Sequence, residues 1–423
     1  MTFVGCAQSR VPASTAVDDG GPLAGRDAGG DRFDAAAPPS DAGPRETAVD
    51  SGDADAGAIT TLPACGPAAP VTSEALCGLG TSPCRVLVTQ IVDGRPLYRQ
   101  DPPAIAIDAT GMPRLLIVDH DLGAHGTYAT QEVPGTWRLE PFPAPVLFGD
   151  LVATPDGTVW ALAEEDDPPI TTLWRRTTTG WEAHGDLGGA HLSSPGSTRA
   201  SRNCLQSVLR DTAAHAVYGA WSADRWTLLA LPGFFAAMSA EGPDLALAPS
   251  GAPSISYWIE ATMDAPRHLQ WSGVATGSET IGDAPGTTTY PTHAPLVTVA
   301  DADGERAYVF WTGALTTQVF MSTRSSGGDW ATLTVDELAP GCHALLGSAL
   351  ASGSGDVRLI YTVDCEPAHS LRLASVSSGH APEVHPIALG SAPERVQAAL
   401  DSLGRIHVVF VDAAVVVYAL LGA

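Results

Sequence analysis

A unit of about 48 residues recurs seven times between Ala104 and the C-terminus, and this repetition constrains the fold more than any other feature of the chain. Each unit is an apolar stretch, an Asp/Gly-type turn and a second stretch rich in β-branched and aromatic residues. The first runs Ala104–Ile107, turns at Asp108–Gly111 and continues Arg114–Asp119. The second runs Leu151–Ala153 and Val159–Leu162 about Asp156-Gly157, and the fourth Leu245–Ala248 and Ile255–Trp258 about Gly251. The fifth, sixth and seventh turn at Gly304, Gly355 and Gly404 into Ala307–Trp311, Val357–Tyr361 and Ile406–Val411. Successive turn glycines lie 46, 94, 53, 51 and 49 residues apart. The interval of 94 holds two repeats, which puts a glycine-free unit near residue 204. Its first strand reads as Leu205–Arg210, its turn as Asp211–Ala214, its second strand as Val217–Trp221, with its later strands compressed.

Most units then show a third stretch, such as Leu173-Trp174, His268–Trp271, Val319–Met321 or Val417-Tyr418, and a fourth near Trp137, Trp181 or Trp330. Helical periodicity is absent over any long window. Four short antiparallel strands per unit predict a blade, and the whole predicts an all-β, seven-bladed β-propeller over residues 84–423. Small inner-strand residues suit a crowded axis, and the Trp residues read as core between blades. The seventh unit ends without a fourth strand, while an orphan strand, Arg85–Val92, precedes the first unit. Pairing the two closes the ring and removes an open edge.

These repeats resemble the BNR/sialidase-like propellers of bacterial surface lipoproteins. The resemblance implies the propeller fold and not sialidase activity. A strict Asp-box reads Ser-x-Asp-x-Gly-x-Thr-Trp, whereas Thr154–Trp160 has its Asp and Gly adjacent.

The N-terminal region is of another kind. Phe3-Val4-Gly5-Cys6 resembles a lipobox, with Cys6 as the lipid acceptor and residues 1–6 as the end of a signal. Residues 7–60, rich in Ala, Asp, Gly and Pro, bury too little apolar surface to offset chain entropy and are expected to form a disordered tether. Residues 61–83 form a Cys-containing pre-domain segment. The localisation this implies is the bacterial cell envelope, lipid-anchored or exported to periplasm or surface. With Cys6 set aside, an even six cysteines remain, which favours disulfides in an exported chain. Ser352–Gly355 reads as a hairpin turn, the numbers of facing residues add to about 707, and Cys342 and Cys365 satisfy that condition. The pairing of Cys65, Cys77, Cys84 and Cys204 stays open.

Composition removes several functions. Every basic residue is Arg, so a P-loop and a Schiff-base lysine are excluded. A net charge of −25 argues against a nucleic-acid partner. No apolar run is long enough to span a bilayer, which leaves the lipid as the one membrane attachment. A monomer is expected.

The candidate site is acidic. Several second strands end in an acid: Asp119, Glu164, Glu260, Asp364 and Asp412. Asp121, Glu165, Asp264 and Glu366 follow them, with Asp166 and Asp167 beside Glu165. Closing the ring would gather these around one mouth, where repulsion calls for compensation. No cofactor is expected, but a hard cation such as Ca²⁺ is one compensation open to such a cluster, and sugar hydroxyl recognition is another. The alternative is a solvated acidic surface. Asp301, Asp303 and Glu305 fit a hairpin turn better than a calcium loop, and His120 and His125 beside Asp119 form a weaker metal candidate. Arg175, Arg176, Arg267 and Arg372 sit on third strands without an evident common focus. The leading expectation is a non-catalytic envelope lipoprotein that binds a glycan or protein through its acidic face. The alternatives are a glycosidase or lyase with paired carboxylates in the mouth, and a surface spacer.

Overall fold

The computed structural model describes Leu87–Gln90 and residues 103–421, apart from segments 120–124, 134, 166–169, 188–189, 193–197, 202–203, 212–214, 235–242, 258–266, 271–278, 282–293, 302–303, 314–316, 353–354, 366–367, 378, 388–392 and 413–414. Cys6, the tether and the pre-domain segment lie outside the described residues.

The described residues form seven antiparallel sheets. Sheet 1 comprises Ala104–Ile107, Pro113–Asp119, His125–Val133 and Thr136–Pro145; sheet 2, Phe148–Ala153, Val159–Glu164, Thr171–Arg176 and Trp181–Asp186. Sheet 3 comprises Ala190–Leu192 with Thr198–Ser201, then Cys204–Asp211, His215–Ser222 and Arg225–Phe234. Sheet 4 comprises Asp244–Leu247, Pro253–Tyr257, Arg267–Gln270 and Glu279-Thr280; sheet 5, Leu296–Asp301, Gly304–Thr312, Gln318–Ser325 and Ala331–Glu337. Sheet 6 comprises Cys342–Ala351, Val357–Cys365, Ala368–Val376 and Glu383–Ile387. Sheet 7 comprises Pro393–Leu400, Ile406–Asp412 and Val415–Leu421, and its outermost strand is Leu87–Gln90 from the N-terminal side. Leu87 faces Leu420 and Gln90 faces Val417 in that pairing.

The first strand of each sheet packs against the first strands of its neighbours, and that of sheet 7 packs against that of sheet 1. The sheets therefore close into a ring with first strands at the axis. A buried apolar cluster fills each junction. Leu116, Tyr128 and Phe142 meet Ala161 and Ala163 between sheets 1 and 2. Leu115, Ile117 and Ala129 meet Val409, Val416 and Tyr418 between sheets 7 and 1. Trp181 edges onto Tyr128 at 5.0 Å and Trp137 onto Tyr418 at 5.1 Å, so these Trp side chains are core between sheets.

Asp and Gly are needed at the first hairpin for local reasons. Gly157 has φ +86° and Gly404 φ +76°, conformations a side chain disfavours. Asp108 Oδ1 accepts from the amides of Thr110 (2.8 Å) and Met112 (3.1 Å), and Asp401 Oδ1 from those of Leu403 (2.9 Å) and Arg405 (2.8 Å).

The third unit corrects the sequence reading. Leu205–Arg210 belongs to the second strand of sheet 3, not the first. The first-strand edge is split, with Thr198–Ser201 facing Cys204–Ser207 and Ala190–Leu192 facing Leu209–Asp211. The period located the hairpin near residue 204, but without its glycine the strand phase slipped by one strand. The later strands, His215–Ser222 and Arg225–Phe234, are full length rather than compressed.

Cys342 and Cys365 face each other and are bonded, with Cα atoms 4.3 Å apart. Cys204 is also disulfide-bonded, and its partner lies outside the described residues.

Sheet 7 carries a buried polar chain beneath its hairpin. Tyr418 Oη lies 2.7 Å from His407 Nδ1, and His407 Nε2 lies 3.2 Å from Asp401 Oδ2, which also accepts from Arg405 Nε at 2.5 Å. Burial would raise the Asp401 pKa, but hydrogen bonds from His407 and Arg405 outweigh it and hold the carboxyl at about 2, below its ordinary 3.8. A depressed carboxyl stabilises the fold above its unfolded pKa and loses that contribution as pH falls through the folded value. Between pH of about 4 and about 2 the protein is expected to lose about 2 kcal/mol on this account. Urea unfolding at pH 4.5 and 2.5 checks it; Asp401→Asn should be less stable at the higher pH and lose less on acidification.

Candidate functional site

Each second strand runs from its hairpin to the opposite face, so Asp119, Glu164, Asp364 and Asp412, at or beside the ends of second strands, lie toward that face. They do not form one converging site among the described residues. Glu164 ends its strand with only 3% exposure, packed inside rather than presented at a mouth. Glu165 and Asp412 are partly exposed, and Asp119 ends its strand. Asp364 is paired with His369, its Oδ1 3.0 Å from Nδ1. Asp121, Glu260, Asp264 and Glu366, and likewise His120, lie outside the described residues. Among the described residues no group of three or more His, Cys, Asp or Glu side chains could hold a metal ion. The corrected strand phase in sheet 3 adds Asp211 to the acids that end second strands.

The opposite face holds a better-built site. Between sheets 1 and 2 lies an open groove of about 550 Å³. Its polar wall comes from Asp108, Arg114, Glu132, Arg138, Glu140 and Arg176. Strand alternation explains their convergence: Arg114, Leu116 and Val118 point from the second strand toward sheet 2, as Glu140 and Phe142 do from the fourth. The apolar members build the junction core, and the charged members emerge where that core ends.

Four of the charges are held in place, while Arg138 and Glu132 are exposed. Arg114 grips Asp108 Oδ2 through Nε at 2.9 Å and Nη2 at 2.5 Å. Glu140 receives Arg176 Nη2 on Oε2 at 2.7 Å and Arg138 Nε on Oε1 at 3.2 Å. The Arg176 guanidinium lies over the rings of Tyr128 and Trp181, at 5.4 Å and 5.8 Å. Burial alone would raise the Asp108 pKa; hydrogen bonds from Thr110, Met112 and Arg114 hold it below its ordinary value. Burial pushes the Tyr128 hydroxyl up to about 12, so it stays protonated at neutral pH.

Sequence reasoning placed Arg176 on its third strand without a focus and passed over Arg114 and Glu140. A signal was present. Three residues beyond the turn glycines of sheets 1, 6 and 7 stand Arg114, Arg358 and His407, polar residues inside otherwise apolar second strands. Arg175 lies over the Trp160 ring at 5.7 Å, outside the groove lining. Arg372 instead binds Asp336 Oδ2 at 2.6 Å, between sheets 5 and 6.

Among solved structures, a protein from Lactobacillus plantarum matches at 15% identity and a TM-score of 0.50, over 71% of this chain and 89% of that one. The fold is a β-propeller. AofleA from Arthrobotrys oligospora matches this propeller at 13% identity and a TM-score of 0.45, over 77% of this chain and 95% of its own. The Aleuria aurantia lectin, a six-bladed β-propeller with a fucose recognition mode, matches at 14% identity and a TM-score of 0.45, over 70% of this chain and 98% of its own. At these identities the likeness concerns the fold alone. No known family and no curated protein matches the sequence, so the BNR/sialidase-like resemblance gains nothing beyond the propeller architecture.

Proposed function

We propose that this protein is a non-catalytic carbohydrate-binding propeller, its seven sheets serving as seven blades of one ring, exported and held to the bacterial envelope through Cys6. The groove between sheets 1 and 2 carries the binding reading. It offers fixed hydrogen-bond donors and acceptors side by side over a partly apolar floor, the mixture that a polyhydroxyl ligand needs. Its geometry argues against hydrolysis. A glycosidase needs one carboxyl that keeps a proton at working pH. In the groove Arg114 and the turn amides hold the Asp108 carboxyl below its ordinary value, and both oxygens of Glu140 already accept from arginine. The Cys342–Cys365 bond agrees with an oxidising compartment. Calcium enters this reading only at the acidic face.

The full chain should retain intact glycans on an array, read by mass spectrometry with and without Ca²⁺. Shortened glycans would overturn the non-catalytic reading. Absence of retention from every glycan would overturn the carbohydrate reading and leave a protein ligand or a spacer. Dependence on Ca²⁺ would return attention to Asp364 and Asp412.

A further inference from the structure

We infer that the groove between sheets 1 and 2 selects a neutral saccharide, gripping two neighbouring hydroxyls on the Arg176–Glu140 pair, and discriminates against acidic sugars; this rests on the carbohydrate reading above. The charge count is the first reason. Arg114, Arg138 and Arg176 stand against Asp108, Glu132 and Glu140, so the groove is balanced. No arginine is left over to neutralise an incoming carboxylate. An anionic ligand would also approach three carboxylates on a chain whose net charge is −25.

The hydrogen-bond inventory is the second reason. A carboxylate accepts only, and a guanidinium donates only. Glu140 uses one position on each oxygen, for Arg138 and Arg176, and a carboxylate has about four. Arg176 spends Nη2 on Glu140, while a guanidinium has about five N–H groups. A sugar hydroxyl both donates and accepts, so it can complete both partners at once. The carboxylate of an acidic sugar can only accept, and would compete with Glu140 for the same arginine.

Rigidity is the third reason. Arg176 is clamped between two rings and Glu140, which lowers the ordering cost of binding. Met112, partly exposed, lines the same groove and offers an apolar surface to the C–H face of a sugar ring.

Calorimetric titration of the full chain with methyl glycosides of the common neutral hexoses, and with the corresponding methyl uronates, tests the inference. The best neutral sugar should bind at least about tenfold more tightly than its uronate. Glu140→Gln should weaken the neutral sugar by about tenfold and narrow that gap, because one acceptor for a hydroxyl proton is gone. Thermal melting of the variant separates this from a folding defect, and the neutral-to-uronate ratio of the unmodified chain stands without any variant. Uronates bound as tightly as the neutral sugars would overturn the selectivity. Unchanged sugar affinity in both Glu140→Gln and Arg176→Ala would remove the groove as the site and leave carbohydrate binding intact. Failure of every saccharide, on the array as in solution, would instead strike down the carbohydrate reading.

Discussion

Replacing Gly347 with valine should lower the stability of the propeller by about 3 kcal/mol or more, an overpacking cost that relaxation cannot easily relieve. A Cβ on Gly347 would stand 2.5 Å from Val396 Cγ1, 2.6 Å from the Val396 carbonyl oxygen and 2.8 Å from that of Ile360. Two of these contacts are backbone, one in the neighbouring sheet, so both strands would have to move. Gly347 is also where the first strand of sheet 6 bulges. From Ala351 opposite Val357 the pairing runs to Ser348 opposite Ile360, then shifts by one to Leu346 opposite Tyr361 and Cys342 opposite Cys365. In the unshifted register Cys342 would lie opposite residue 366. Gly347→Val should therefore lower the melting temperature and leave free thiol at Cys342 and Cys365, measured by differential scanning calorimetry and by alkylation with mass spectrometry. An unchanged melt with the bond fully formed would show that the junction of sheets 6 and 7 yields more readily than its packing implies.

Asp244→Ala should cost about 3 kcal/mol, because the carboxylate is 3% exposed and the Leu245 and Leu296 amides would lose the oxygens they donate to. Asp244 Oδ1 accepts from the Leu245 amide at 2.8 Å and from Arg199 Nη2 at 3.0 Å, and Oδ2 accepts from the Leu296 amide at 2.8 Å. Leu296 belongs to sheet 5 and Arg199 to sheet 3, so one side chain ties three consecutive sheets at the axis. The physical need comes from the ring itself. Each first strand pairs on one side only, and its other edge presents amides toward the axis. Asp150 meets the same need between sheets 2 and 3, taking the Thr198 amide on Oδ2 at 2.8 Å, and Ser348 Oγ takes the Ala398 amide at 2.9 Å between sheets 6 and 7. Asp244→Asn should recover only part of the loss, since its amide would face donors. Urea denaturation of the three proteins gives the order; equal stability of the wild type and Asp244→Ala would refute the pin.

Much of this design can be read in the sequence, and particular residues show where reading fails. The period marked out the repeat, and the strand at Leu87–Gln90 pairs with the last strand of sheet 7 as the spare strand suggested. The disulfide was predicted from a simple hairpin, yet it forms because the Gly347 bulge shifts the register by one residue. Sheet 3 went astray because a hairpin without glycine leaves the period intact and the phase undetermined. Asp150 and Asp244 each stand seven residues before a turn glycine, a coincidence visible in the sequence whose meaning depends on the neighbouring sheet. The burial of Glu164 was not legible in its place at a strand end.

The sequence by itself determined the all-β class, the repeat, the closing strand and the facing cysteines. The class and the repeat depend on local alternation and turn chemistry, which act over a few residues; the closing strand and the cysteine pair were found by counting strands and facing positions. Tertiary structure alone decided which charged residues meet. Arg176 and Glu140 are 36 residues apart and lie on different sheets, and their 2.7 Å contact exists because closing the ring sets those sheets side by side. A polar residue on a strand records only which face it occupies; its partner is chosen by the packing of sheets, a long-range consequence of burying the apolar faces between them.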